Sequence, residues 1–208
     1  MANIELIHGD CMEGMANMKD KEYDLAIVDP PYGIDMDGNK GDSKNFFRQY
    51  EDKGWDLSTP NAKYFLELFR VSKNQIIWGG NYFLNYLEAT PCMLIWDKTQ
   101  RDFSFADAEI AWTSFQSSVR IFTQNRNFLH LEDKIHPTQK PVKLYEWLLK
   151  NYAKEGDRIL DTHGGSMSIA IACYNLDFDL TLFELDEDYY KAGIARFEEH
   201  KRQQRLFP

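Results

Sequence analysis

Short apolar runs alternate with longer amphipathic stretches along most of the chain, and this alternation restricts the fold more than any other feature. Each run is four to six residues long, which is typical of buried strands. Between the runs, apolar residues at three- and four-residue spacing indicate helices. Strands that alternate with helices favour an α/β architecture with a largely parallel sheet. The sequence therefore predicts one sheet covered by helices.

The predicted elements can be placed by residue number. Seven strands are predicted, at Ile4 to His8, Asp24 to Asp29, Gln75 to Trp78, Met93 to Trp96, Glu109 to Thr113, Arg158 to Asp161 and Leu180 to Leu185. Helices are predicted near residues 60–70, 80–88, 141–153, 167–175 and 187–200. Thr59 is the expected N-cap of the first of these helices, with Pro60 in its first turn. The strands at Met93 and Glu109 are joined by a loop too short for a crossover helix, so we expect an antiparallel hairpin at the sheet edge.

Length and composition favour a single globular domain. The 208 residues include 43% hydrophobic and 14% aromatic side chains, enough to bury a sizeable core. No apolar run reaches the roughly 18 to 20 residues that span a bilayer, and the N-terminus lacks signal-peptide features, so a cytoplasmic location is expected. The three cysteines, Cys11, Cys92 and Cys173, lie far apart, which predicts neither a zinc site nor a disulfide framework.

Charge restricts how the chain can contact nucleic acid. The net charge of −9 argues against non-specific coating, because phosphate neutralisation needs Lys and Arg. Two polar stretches carry local cations: Lys40, Lys44 and Arg48 within residues 33–58, and Arg120, Arg126 and Lys134 within residues 116–136. We interpret the first stretch as a basic flap and the second as a short substrate-recognition insert. Ordinary solvated loops are the alternative for both.

A rigid acidic segment, Asp29-Pro30-Pro31-Tyr32, follows a predicted strand. It therefore lies at the carboxyl end of that strand, where open α/β sheets bind ligands. The nitrogen of an aromatic amine is a poor nucleophile because its lone pair is delocalised into the ring. The Asp29 carboxylate and the Pro30 carbonyl can accept its two N–H groups and favour a more nucleophilic nitrogen, while Tyr32 can stack on an extruded base. The segment predicts chemistry at a nucleobase amino group; a Pro-Pro turn beside a core tyrosine is the alternative.

A glycine-rich turn, Asp161-Thr162-His163-Gly164-Gly165-Ser166, follows another predicted strand and opens a helix. Glycines at such a turn let the backbone approach a nucleotide-type cofactor closely. One strand later, Glu184 and Asp186 lie about 20 residues after the turn, a spacing that suits a carboxylate accepting ribose hydroxyls. As an ordered pair, the turn and the acidic strand end predict a nucleotide-type cofactor site.

Two further segments lie next to predicted helices. Asp10 can accept a hydrogen bond from the adenine amino group of a cofactor, or can act as the N-cap of a helix over residues 12–18. His136-Pro137-Thr138-Gln139-Lys140-Pro141 precedes a helix whose first turn suits Pro141. The histidines are scattered and the serines have no histidine partner at a strand turn, so neither a metal cluster nor a nucleophile triad is predicted.

Together these segments resemble the amino-group DNA methyltransferases, the family that methylates adenine N6 or cytosine N4. The resemblance extends from Gly9-Asp10-Cys11 to Glu184-Leu185-Asp186, nearly the whole chain. The catalytic segment precedes the glycine-rich turn, as in the permuted β group, and residues 74–83 and 95–98 are similar to phage and prophage adenine methyltransferases. The resemblance implies a Rossmann-like, seven-stranded sheet with a reversed edge strand, and one methyltransferase domain over residues 1–208.

The same resemblance implies a reaction and a set of site residues. The expected reaction is methyl transfer from S-adenosylmethionine to adenine N6 of a flipped base in DNA, with site-specific or relaxed specificity, as in restriction-modification. Catalysis is assigned to Asp29, Pro30, Pro31 and Tyr32. The cofactor pocket is expected to contain Asp10, Cys11, Asp29, Thr138, Lys140, Asp161, His163, Gly165, Ser166, Glu184 and Asp186. The expected DNA contacts are Lys40, Lys44, Arg48, Lys98, Arg120 and Arg126.

Two positions depart from the family pattern Asp-Pro-Phe-x-Gly-Ser-Gly. His163 replaces the usual phenylalanine and Met167 replaces the last glycine, which puts cofactor affinity in question. Asp29 favours adenine, because cytosine-N4 relatives more often carry Ser there. The alternatives are a cytosine-N4 or RNA amino-methyltransferase, and a catalytically inactive DNA-binding module of the same fold. A monomer and a homodimer both stay open.

Overall fold

The computed structural model describes residues 2–35, 53–101, 106–125 and 134–206. Within these ranges the strands are β1 (Ile4–His8), β2 (Tyr23–Val28), β3 (Ser72–Trp78), β4 (Met93–Asp97), β5 (Ala108–Thr113), β6 (Arg120–Thr123), β7 (Arg158–Asp161) and β8 (Asp179–Glu184). The helices are α1 (Cys11–Ala16), α2 (Ala62–Val71), α3 (Val142–Tyr152), α4 (Ser168–Leu176) and α5 (Glu187–Leu206), with a 3-10 turn at Gly80–Tyr82. No helix in these ranges is long and apolar enough to cross a membrane.

All eight strands form one sheet in the order β1-β8-β7-β2-β3-β5-β4-β6. Strand β5 is antiparallel to both of its neighbours, β3 and β4, whereas the other pairs are parallel. The predicted α/β class and the predicted antiparallel pairing of β4 with β5 are both confirmed. The permuted order places β2 and β7 side by side, with Leu25 opposite Ile159, so the two predicted motifs leave neighbouring strands.

The edge of the sheet differs from the prediction. Residues 120–123, expected within the recognition insert, form an eighth strand that pairs in parallel with β4, with Ile95 opposite Ile121. The reversed strand β5 therefore lies inside the sheet, and the β4–β5 pair is not the edge. The physical reason is that β6 pairs the outer N–H and C=O groups of β4, which an edge strand would leave open.

Helices cover both faces of the sheet, and side chains of β2 alternate between the two resulting cores. Leu25 and Ile27 pack in the core that includes buried residues of α3, α4 and α5. Ala26 and Val28 pack in the core that includes buried residues of α1 and α2. A strand buried on both faces has a continuous apolar sequence. For this reason β2 could be predicted to within one residue at each end.

Two predicted helix starts and one predicted helix were wrong. Helix α2 is capped by Asn61, whose side chain accepts a hydrogen bond from Tyr64 N, and not by Thr59. Pro141 is the N-cap residue of α3 and does not lie in its first turn. The helix expected over residues 80–88 is reduced to the 3-10 turn, because Gly79 adopts a left-handed backbone with φ 70° and redirects the chain after β3.

Candidate active site

The carboxyl ends of the central parallel strands carry most of the predicted site. Asp29 follows β2, Asp161 ends β7, and Glu184 ends β8. Because β8, β7 and β2 are adjacent and parallel, their carboxyl ends lie side by side. Open α/β sheets bind their ligands at this end of the strands. The structure thus brings together the catalytic and cofactor segments that the sequence predicted separately.

The Asp29 carboxylate has two donors in the described part of the chain. The Tyr32 hydroxyl donates to Oδ1 at 2.5 Å, and the Lys140 ammonium donates to Oδ2. Lys140 Nζ also lies 3.3 Å from the Tyr32 hydroxyl oxygen, and its side chain is only 1% exposed. Lys140, predicted within the cofactor pocket, therefore lies in contact with the predicted catalytic carboxylate.

Glu109, on the reversed strand β5, extends this ion pair into a row of four charges. Lys140 Nζ lies 3.0 Å from Glu109 Oε2, and Lys98 Nζ lies 2.6 Å from Glu109 Oε1. Lys98, predicted as a DNA contact, has a side chain that is only 10% exposed and is paired with Glu109 beside the cavity. Glu109 was not predicted as a site residue, although a single carboxylate within the mainly apolar strand β5 could have indicated one.

Burial and ion pairing oppose each other in this row. Burial raises the pKa of Asp29, while the Lys140 ammonium acts in the lowering direction and the Glu109 carboxylate raises it again. Burial also acts to raise the pKa of Glu109, but Lys140 and Lys98 outweigh it and bring the value to about 2. Glu109 is therefore a fixed negative charge at neutral pH, whereas the pKa of Asp29 lies above its usual value because burial outweighs the Lys140 ammonium.

A cavity of about 290 Å³ opens beside Asp29. Its walls combine flat and apolar surfaces with the polar groups of the charge row. The lining side chains include Asp29, Pro31, Tyr32, Ile34, Trp55, Asn81, Tyr82, Lys98, Glu109, Ile110, Thr138 and Lys140. An apolar cleft with a few convergent polar groups is the usual form of a small-molecule or base site.

Tyr32 is fixed by aromatic and backbone contacts. Its ring stacks on Tyr82 with centroids 5.0 Å apart and an interplanar angle of 14°, and meets Phe83 edge-on. Gly79 packs against the same ring, since a Cβ added there would lie 2.2 Å from Tyr32 Cε1. Position 79 therefore favours glycine for two reasons: its backbone is left-handed, and it lies too close to the Tyr32 ring for a side chain.

Asp56 holds the backbone that follows the catalytic segment. Its Oδ1 accepts hydrogen bonds from Tyr32 N at 2.7 Å and Gly33 N at 2.9 Å, and its carbonyl accepts from Asp35 N at 3.0 Å. The side chain is buried, with 2% exposure. Residues 33–58 were predicted to form a basic flap, and no role was predicted for Asp56. Its carboxylate connects the C-terminal end of the predicted flap to Tyr32.

For the methyl transfer that the resemblance implies, we expect Asp56→Ala to lower the rate at least about tenfold, because the Tyr32 and Gly33 amides lose their common acceptor and the ring loses its alignment. Asp56→Asn keeps an acceptor oxygen and should stay within about threefold of the unmodified protein. Single-turnover rates on DNA would measure both effects. Equal losses in the two variants would show that the charge of Asp56, and not its acceptor geometry, is what matters.

The glycine-rich turn is tied to β8 through Glu184. Glu184 Oε2 accepts from Gly165 N at 2.6 Å, while Oε1 accepts from Asp186 N at 2.8 Å. In the same turn, Asp161 Oδ1 accepts from His163 N at 3.0 Å. Ser166 is buried, with its hydroxyl 3.1 Å from Ser168 Oγ. The structure thus gathers Asp161, Gly165 and Glu184 as predicted.

The two departures from the family pattern have local explanations. His163 Nδ1 lies 2.8 Å from Thr162 Oγ1, and burial lowers the pKa of the ring to about 4, so it is neutral at pH 7. Met167 adopts φ 56°, the left-handed region that favours glycine and costs other residues about 1–2 kcal/mol. Its side chain is fully buried and fills space over Gly193, where a Cβ would lie 2.7 Å from Met167 Cγ.

The remaining predicted cofactor residues have structural partners of their own. Asp10 is the N-cap of α1, since its Oδ1 accepts from Met12 N at 2.8 Å, and Cys11 is buried in the first turn. Asp186 pairs with Lys53 at 2.8 Å, and Thr138 Oγ1 lies 3.1 Å from His136 Nδ1. The capping alternative for Asp10 is therefore observed.

The predicted DNA contacts are only partly described. Arg120 is exposed on β6, whereas Lys98 is buried as noted above. Lys40, Lys44, Arg48 and Arg126 lie outside the described residues. The two described ends of the predicted basic flap meet beside the cavity, where Asp56 accepts a hydrogen bond from Gly33 N. Lys53, at the later end, pairs with Asp186 and Asp188.

Comparison with known proteins places the chain in a family. A family model described as DNA methylase, covering the N6 and N4 enzymes, matches residues 75–196. The type II methyltransferase M.HpaI of Haemophilus parainfluenzae is 22% identical over an alignment of 240 positions, gaps included. The alignment covers 93% of this chain and 74% of that protein.

Solved structures share the fold at low sequence identity. The crystal structure of the M1.HpyAVI–SAM complex is 18% identical, with a TM-score of 0.62, over 93% of this chain and 98% of that chain. The cytosine-N4-specific PvuII DNA methyltransferase is 14% identical, with a TM-score of 0.63, over 97% of this chain and 91% of that chain. The sheet described above is thus the Rossmann-like sheet of these methyltransferases. Because the family model spans more than half of the sequence, the protein belongs to the N6/N4 DNA methylase family and is a DNA amino-methyltransferase.

Proposed function

We propose that the protein transfers a methyl group from S-adenosylmethionine to the N6 amino group of an adenine flipped out of DNA. The observation that carries this proposal is the Asp29 carboxylate at the cavity, hydrogen-bonded to Tyr32 and flanked by an aromatic wall. A carboxylate acceptor beside a stacking ring is what an aromatic amine needs in order to be held and polarised.

The residues at the ends of β7 and β8 fit the charge of the methyl donor. S-adenosylmethionine carries a sulfonium and an ammonium group against one carboxylate, so it is net positive. Burial raises the pKa of Asp161 to about 8 and raises the pKa of Glu184. Buried acids of this kind gain from a cationic ligand. We assign the donor to Asp161, Gly165, Ser166 and Glu184, with Asp10 and His163 at its adenosine end; the bound donor supplies an electrophilic methyl group.

The protein's own part in the reaction is positioning and polarisation. The Asp29 carboxylate and the Pro30 carbonyl accept the two amino N–H groups of the base, so the amino group takes the place of the Tyr32 hydroxyl at Oδ1. The prolines hold these acceptors rigidly. Tyr32, backed by Gly79, supplies the stacking surface. Correct placement of the reacting atoms supplies most of the acceleration in such a transfer.

Binding of the donor should depend on pH through Asp161. Since burial raises the pKa of this carboxyl to about 8, it is mostly protonated at pH 6 and ionises as the pH rises. A net positive ligand prefers the ionised form, so we expect the affinity for S-adenosylmethionine to rise roughly tenfold between pH 6 and pH 8, with proton release at neutral pH. Calorimetric titration in buffers of different ionisation enthalpy measures both. Asp161→Asn should flatten the dependence; an unchanged slope in that variant would assign it to another group.

Adenine is favoured over cytosine by Asp at position 29, since cytosine-N4 relatives more often carry Ser there. Cytosine N4 is the second candidate, because the cytosine-N4-specific PvuII enzyme shares the fold. Expression in a methylation-free host, followed by nucleoside analysis and mapping of modified bases, would decide between them. N6-methyladenine in the DNA would support the proposal, and N4-methylcytosine would support the second candidate. A modified base found in RNA and not in DNA would mean that the substrate is RNA.

An inactive DNA-binding module would differ in one measurable property. His163 and Met167 are the substitutions that favour it, yet Met167 is accommodated by Gly193 and His163 is neutral. We therefore propose that the folded protein binds S-adenosylmethionine. Absence of binding by calorimetry to folded protein would favour the inactive module.

DNA contacts are proposed for cations of the predicted flap and of the recognition insert. Asp56 accepts a hydrogen bond from Gly33 N beside the base pocket, so the two described ends of the flap meet there, which supports phosphate contacts by Lys40, Lys44 and Arg48. Arg120 and Arg126 belong to the proposed recognition insert, and residues 1–208 are proposed to act as one methyltransferase domain.

A further inference from the structure

Asp29 is one end of the charge row Lys98–Glu109–Lys140–Asp29, and the other three members take no part in holding the amino group of the base. The row contains two carboxylates and two ammonium groups and is neutral as a set. The three ion pairs are continuous: Lys98 with Glu109 at 2.6 Å, Glu109 with Lys140 at 3.0 Å, and Lys140 with Asp29. Only Asp29 among the two acids has a position suited to the amino group, because Glu109 has an ammonium on each oxygen.

Methyl transfer to an amino group creates a proton that must leave. The new N–C bond forms as the S–C bond breaks, and the bonding electron pair goes to sulfur, which leaves a cationic secondary ammonium on the base. That nitrogen must then lose a proton. Asp29, which already accepts its N–H, is the nearest base and becomes the carboxylic acid until it releases the proton to solvent.

A lysine bound to Asp29 alone would oppose this step. An ammonium paired fully with one carboxylate holds that carboxylate in its ionised form and makes it a poor proton acceptor. In this structure Lys140 is divided between Asp29 and Glu109, and Lys98 balances the added charge of Glu109. The row therefore fixes how strongly Lys140 acts on Asp29.

We propose that Glu109 is a positioning residue which, with Lys98, holds Lys140 between two carboxylates and so keeps Asp29 able to accept the proton released by methyl transfer. This inference rests on the proposed function and names the group that sets its pH dependence. Glu109 contacts neither donor nor base in this role; it acts through Lys140.

Other titratable groups also face Asp29 and stay constant in the test. They are the Tyr32 hydroxyl in the same loop, Tyr64 of α2, Tyr145 of α3 and Asp161 of β7. Burial raises the pKa of all three tyrosines, so they are neutral over the working range. Asp161 adds a charge that opposes ionisation of Asp29. It is unchanged in every variant, so the differences between their profiles do not come from a substitution at Asp161.

The test uses the full chain, DNA and saturating S-adenosylmethionine, and measures the single-turnover rate against pH. Glu109→Gln removes a negative charge, lowers the pKa of Asp29, and should shift the acidic limb of the profile down by about one pH unit with a plateau up to about tenfold lower. Lys98→Met removes a positive charge and should shift the limb upward. In the double variant the row is neutral again but Lys140 is left to Asp29 alone, so its limb should lie between those of the two single variants and stay below that of the unmodified protein.

The double variant also guards against loss of folding, since it leaves no unpaired buried charge at these positions. Glu155→Gln is the matched control. Glu155 is an exposed carboxylate just before β7, at the amino end of that strand, and its replacement should leave the profile unchanged. Shifts of both single variants in one direction, or a limb of the double variant at or above that of the unmodified protein, would overturn the inference. If the unmodified protein itself transfers no methyl group to DNA, it is the proposed function that fails.

Discussion

Replacing Asp29 by alanine is expected to reduce methyl transfer about a thousandfold or more, since one change removes both the amine acceptor and the proton acceptor. The donor site at Asp161, Gly165 and Glu184 does not use the Asp29 side chain for its internal hydrogen bonds, so affinity for S-adenosylmethionine should change less than about threefold. Single-turnover transfer and calorimetric titration measure the two quantities separately.

Asp24→Ala is the matched control for that variant. Asp24 is the same residue type on the same strand, but it lies at the amino end of β2 and pairs with Lys73 at the surface. Its loss removes this ion pair and the hydrogen bond that Asp24 Oδ2 accepts from Arg158 N at 3.0 Å, together worth about 1–2 kcal/mol, and should leave the transfer rate unchanged. An Asp29→Ala protein that still methylates DNA at an appreciable rate would end the proposed mechanism.

Much of the fold could be predicted because the central strands are buried on both faces. Strands β1 and β7 were predicted with their observed bounds, since Ile4–His8 and Arg158–Asp161 are bounded by turn residues. Strand β6 could not be predicted in this way. Its residues are mostly exposed, so no apolar run marks them, and only the parallel pairing with β4 makes them a strand.

The site was predictable to the extent that its residues follow strands. Asp29, Asp161 and Glu184 converge because parallel neighbours end at one edge, and the sequence contains that information. Glu109 and Asp56 reach the same place from a reversed strand and from the end of a long loop. Their roles depend on tertiary contacts that sequence spacing does not encode, and the same is true of the burial of Lys98.

Gly79→Ala should lower the transfer rate about a hundredfold, the second large effect that we expect. A Cβ at this position would lie 2.2 Å from Tyr32 Cε1, more than about 1 Å inside the carbon–carbon contact distance. Tyr32 must therefore move, and a misplacement of about 1 Å near reacting groups costs on the order of a hundredfold in rate. Single-turnover kinetics with saturating donor and DNA would measure the loss.

Gly156→Ala separates this clash from backbone strain. Gly156 has φ 85° and, like Gly79 with φ 70°, occupies the left-handed region, but a Cβ there meets nothing within 4 Å. Both variants should lose about 1 kcal/mol of folding stability from the strained backbone. Only Gly79→Ala should also lose activity, because only there does the new methyl group displace the stacking ring. Equal activity in the two variants would mean that the position of Tyr32 does not limit the reaction.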